Sequence, residues 1–146
     1  MTGDVLAALG RDAEATAAWE RAAASRGDFV SMATTEFSER SICSVHALRR
    51  LGREGEADDL ARALSDWAVA LRDVPAMVDY FATSLPTMLL FHEDLQRRRE
   101  LTCDTIAAQA ALALGDGAAA ARLAADVLAV DPADPHALEV ASAVSA

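Results

Sequence analysis

Three histidines, two cysteines and a few adjacent acids are the residues of this chain that could do chemistry, and their spacing does not assemble them. His46, His92 and His136 lie far apart. The run His92-Glu93-Asp94 lacks the second His four residues on that a helical zinc site requires. Cys43 and Cys103 are isolated, and no Cys/His cluster has ligand spacing. In apolar helices both are expected to be buried as small hydrophobes. Dinucleotide, P-loop and nucleophile-elbow motifs are absent. Ser84, ahead of Leu85-Pro86, reads as a helix cap. The acid pairs Glu54/Glu56 and Glu93/Asp94 fall at expected helix starts, where the helix dipole favours them without further purpose. An enzyme would require His92, Glu93 and Asp94 to converge with His46 in one pocket. The reading is therefore of a chain with no metal, no cofactor and no catalysis of its own.

The elements that must position these residues are helical. Among 146 residues 53% are hydrophobic, 35 are Ala, and only 5% are aromatic. Ala is the best helix former and lets helix axes approach closely, whereas a β-sandwich would need more β-branched and aromatic residues. The net charge is −10, and all 13 basic residues are Arg. That balance supplies no basic stripe for a phosphate backbone, so no nucleic-acid partner is expected. No run of 18 apolar residues and no leader-like N-terminus is present, which predicts a soluble cytoplasmic chain without a membrane partner.

Glycines punctuate the pattern. Leu9-Gly10, Leu51-Gly52 and Leu114-Gly115 each precede an Ala five residues after the Gly, at Ala15, Ala57 and Ala120. Helical spacing predicts helices over Asp12–Ala24, Glu54 to about Leu71, Asp94–Leu114, Gly115 to Val130, and from Pro135 onward. Gly27-Asp28 reads as a stop and a cap, followed by one long helix carrying Phe37, Ser41, Val45, Leu48 and Leu51. Pro75 and Pro86 cannot occupy helix interiors, so 73–94 is expected to be an irregular insert. The predicted fold is all-α, about seven helices stacked as antiparallel hairpins in a single domain. Its units fall at about 1–27, 28–72 and 95–134, with a closing helix at 135–146.

Gly115-Asp116, Ala120, Val127-Leu128-Ala129-Val130 and Asp131-Pro132 resemble the second helix of a tetratricopeptide repeat, with Leu101–Leu114 as the first. Residues 10–27 and 52–69 resemble degenerate copies. The resemblance implies an irregular αα-superhelix that binds protein. A second similarity is carried by Asp79-Tyr80-Phe81-Ala82-Thr83-Ser84-Leu85-Pro86-Thr87-Met88-Leu89-Leu90-Phe91 and Glu93-Asp94-Leu95. Ala18-Trp19-Glu20-Arg21-Ala22 and Leu48-Arg49-Arg50-Leu51-Gly52 share it. These resemble the tail of large uncharacterised bacterial proteins whose front part looks related to carbohydrate-active enzymes. This implies that the chain is the C-terminal part of a longer polypeptide and docks on the rest of it.

Two surfaces are candidates for partner binding. One is the insert, with Asp79, Tyr80 and Phe81 as a docking patch. The other is the face of the first helices, where His46 and Arg49 in one unit and Thr105 and Gln109 in another are expected to point outward and grip a peptide. Lys and Asn, which grip a chain terminus in one tetratricopeptide subgroup, are both missing. A truncated array with an uncovered face would also be open to homodimerisation.

Overall fold

The architecture was obtained as a computed structural model, which describes residues 2–25, 27–30, 33–76 and 94–145. Seven α-helices are found among them: α1 (Thr2–Ala8), α2 (Asp12–Ala24), α3 (Ile42–Arg50), α4 (Glu54–Arg72), α5 (Leu95–Ala113), α6 (Gly117–Leu128) and α7 (Pro135–Ser145). Each packs on its successor, α4 on α5 across the insert included, and α5 also meets α7. The chain is thus predominantly α-helical, built as consecutive helical hairpins.

The three glycine corners share one geometry. Gly10, Gly52 and Gly115 have φ of 71, 72 and 84°. In each, the N–H after the glycine reaches back to the helix: Arg11 to Leu6, Arg53 to Leu48 and Asp116 to Ala111, all at 2.9 Å. This is a Schellman closure, whose left-handed residue is nearly free of cost only for Gly. The returning helix then buries Ala15, Ala57 and Ala120, each 0% exposed. Seven residues before each glycine lie Gly3, Val45 and Ala108, all buried. Gly3 and Ala108, with the alanines of the returning helices, are small enough to let the two helices of their hairpins approach closely, while Val45 fills the same place in the middle hairpin. Adding a methyl has opposite effects at two nearby glycines. Gly52→Ala forces a left-handed L-residue and should lower stability by about 1 kcal/mol. Gly55→Ala, inside α4 with open space around its Cα, should raise it by about 0.5 kcal/mol. Urea unfolding of the two variants measures both signs.

One expected helix is not there. Residues after Gly27 form an antiparallel hairpin, β1 (Asp28–Val30) with β2 (Ala33–Thr35), in register Asp28↔Thr35, Phe29↔Thr34 and Val30↔Ala33. Asp28 is a strand residue and caps nothing helical. Its carboxylate instead accepts a hydrogen bond from Ser38 Oγ at 2.7 Å. Ser38 also opens a short 3-10 turn, Glu39–Ser41, through a capping box with Ser41, and α3 begins only at Ile42. Val30, Thr34 and Thr35 favour extended backbone, and the polar Ser38 cap fixes the start of the turn. Phe37 therefore lies outside the helix, edge-on to Trp67 of α4 with ring centroids 5.8 Å apart.

The core has two parts that meet in α5. Val45, Leu48, Leu64, Cys103, Ile106 and Ala110 belong to one, uniting α2 to α5. Ala108, Ala120, Ala124, Val127 and Val140 form the other, uniting α5 to α7. Helix α5 thus contributes buried side chains to both. Asp94 caps its start by accepting the Arg97 N–H at 3.0 Å, and Arg97 pairs with Glu100.

Candidate functional site

A groove of about 830 Å³ opens between α1, the 39–50 segment, the first turn of α4, and α7. Its position follows from the corners. The Gly52 turn folds α4 back on α3, Arg50 ties α3 to Asp4 of α1, and the hairpin from α5 to α6 returns the chain so that α7 reaches the same face. Asp4 comes from α1, His46, Arg49 and Arg50 from α3, and His136 and Glu139 from α7. Segments far apart in the chain so converge on one concavity, the usual place for a ligand.

His46 and Arg49 both line this groove, but Arg49 is engaged within the fold. Its guanidinium lies 3.1 Å from Asp58 and 3.6 Å from Glu54, and it donates to the Ala113 carbonyl at the end of α5. It ties α3 to α4 and α5, satisfying a terminal carbonyl that the helix leaves open. Arg50 crosses to Asp4 at 3.0 Å, joining α3 to α1. Arg53 is paired with Glu56.

The expectation for α5 is corrected. Thr105 is 2% exposed and Gln109 5%, so neither faces a groove. The helix carries α4 on one side and α6 and α7 on others, and this removes the outward face that a single apolar stripe would leave. Ile42, in the first turn of α3, is buried as well. The cysteines also divide: Cys103 is buried, whereas Cys43 is exposed and lines the groove. Burial pushes the Cys103 thiol above its ordinary pKa. Asp79, Tyr80, Phe81, Ser84, His92 and Glu93 lie outside the described residues, as does the convergence of His92, Glu93 and Asp94 with His46. What sequence reasoning missed is the part of α7 in the groove. His136 and Glu139 stand in its first turns, and no local pattern ties them to α3.

Burial, then the Arg49 and Arg50 guanidiniums, hold the His46 imidazole below its ordinary pKa of 6.5, against an opposite pull from Glu139 and Asp4. The unfolded chain therefore takes up this proton at higher pH than the folded one. Stability is full above about pH 6.5 and falls as pH drops through that value toward the depressed one. His46→Gln should flatten the decline in melting temperature between pH 7 and 5. An unchanged slope would show that His46 does not govern it.

A second cavity, of about 310 Å³, lies between the end of α2, the β-hairpin and α3. Its hydroxyls are committed to the fold: Ser44 donates to the Ala22 carbonyl at 2.9 Å, and Ser38 and Ser41 cap each other. Among the described residues no three His, Cys, Asp or Glu side chains are grouped to hold a metal ion, and no helix is long and apolar enough to cross a membrane. The chain matches no family model, and no solved structure matches it.

Proposed function

We infer that this protein is a non-catalytic interaction module of tetratricopeptide-like character, whose α1–α3–α7 groove holds an extended segment of another polypeptide. The observation that supports this is the groove itself, walled by three non-consecutive helices and carrying side chains, among them His136 and Glu139, with no structural task. The repeated corners and the shared small-residue register fit an array of hairpins whose alternate helices line a concave side. Two free thiols fit a reducing, cytoplasmic setting. Selection of a displayed random peptide library against the purified protein tests the reading. Enriched peptides should lose at least about 10-fold in affinity to His46→Trp, which fills the groove. Peptides that bind the variant equally well would place binding elsewhere and overturn it.

A second reading is favoured by one other feature. Val5 on α1 and Leu9 in the turn that follows it are 60% and 65% exposed. They offer an apolar strip for the remainder of a larger, carbohydrate-related polypeptide, or for a second copy. Sedimentation of the chain with and without that polypeptide in trans distinguishes the two occupants, and Val5→Ser with Leu9→Ser should abolish either contact.

A further inference from the structure

The charges lining the groove are unequally answered. Both basic residues near the end of α3 are matched within the fold, Arg50 by Asp4 and Arg49 by Asp58 and Glu54. Glu39, in the turn before α3, and Glu139, on α7, form no ion pair among the described residues, and Arg40 is the guanidinium of the lining left without one. Two free carboxylates thus face one free guanidinium. His46 adds no positive charge at neutral pH, since burial and Arg49 oppose its protonation. The chain as a whole carries −10, a field that raises the local concentration of cations.

We propose that the groove takes a cationic peptide, with Lys or Arg residues meeting Glu39 and Glu139. This rests on the peptide-binding reading above and specifies its ligand. Arg40, adjacent to Glu39, opposes the incoming cation, so Arg40→Gln should tighten binding.

The test is fluorescence anisotropy with three labelled nonapeptides of one Ser/Ala background, carrying Lys, Glu or Ser at positions 3 and 6. The Lys peptide should bind at least about 10-fold more tightly than the Glu peptide, and Glu39→Gln with Glu139→Gln should cost about 10-fold. Asp66→Asn with Asp126→Asn makes the same charge change on the outer helices α4 and α6, and should cost less than about 2-fold because exposed distant charges are screened. Equal losses in the two double variants would reduce the effect to general attraction and overturn the proposal, as would preference for the Glu peptide. If the Ser peptide binds as well as the Lys peptide and His46→Trp blocks both, the charge preference fails while the groove reading stands. If none of the three binds and no library peptide is enriched, both fail.

Discussion

Leu64→Ala is expected to cost about 3 kcal/mol, within the range for a buried leucine truncated beside neighbours that cannot close the space. The reason is specific to this composition. With 35 Ala in the chain, few large side chains carry the core, and the largest that are fully buried are Leu48, Leu64, Ile106, Val45 and Val127. Leu64, 1% exposed, sits on α4 in the core cluster to which α3 and α5 also contribute. Alanines on the facing helices have no longer side chain with which to fill the hole. A domain of this size holds about 5–15 kcal/mol in all, so the loss is a large share and should lower the melting temperature by roughly 10 °C. Leu138→Ala, on α7 and 47% exposed, should shift stability by less than about 1 kcal/mol. Equal effects from the two substitutions would contradict the core described above.

Gly3→Ala should be nearly as damaging, although it adds one methyl. A Cβ built there would lie 2.4 Å from Nε1 and 2.5 Å from Cδ1 of Trp19, distances that atoms do not sustain. The indole is a rigid plane packed against the first core cluster, so either it or α1 must move. Overpacking of this kind costs about 1–3 kcal/mol. Because α1 is only seven residues long, its displacement is the easier response. In a Trp67→Phe background the Trp19 emission should shift to the red, and peptide binding should weaken as Asp4 leaves the groove. Thr2→Ala, at an exposed neighbouring position, should do neither. An unshifted emission maximum with unchanged stability would mean that α1 does not pack on Trp19.

Much of the helical framework was legible because it is written locally. Ala15, Ala57 and Ala120 stand at a fixed distance from Gly10, Gly52 and Gly115, and a glycine corner is a short-range signal. The matching positions Gly3, Val45 and Ala108 escaped notice because they share smallness or shape without sharing identity. The β-hairpin was missed for a different reason. Phe37, Ser41, Val45 and Leu48 do keep helical spacing, and periodicity cannot reveal that the Ser38 cap interrupts it. Thr105 and Gln109 were read as a surface because one apolar stripe on α5 was assumed. Only the return of α6 and α7 shows that two faces are covered. Of the groove's lining, His46 and Arg49 were in view, since they lie on one exposed-looking face. Its other wall comes from α7, and the pairing of Arg50 with Asp4 depends on tertiary contact alone.

The central claim is that α1, α3 and α7 together form the binding surface. Amide chemical-shift mapping of the isotopically labelled protein with a library-selected peptide tests it most directly. The largest changes should fall at Asp4, His46 and Glu139, with α4 beyond its first turn and α6 unaffected. Changes confined to Val5 and Leu9 with their outward neighbours, or to the outer faces of α4 and α6, would contradict it.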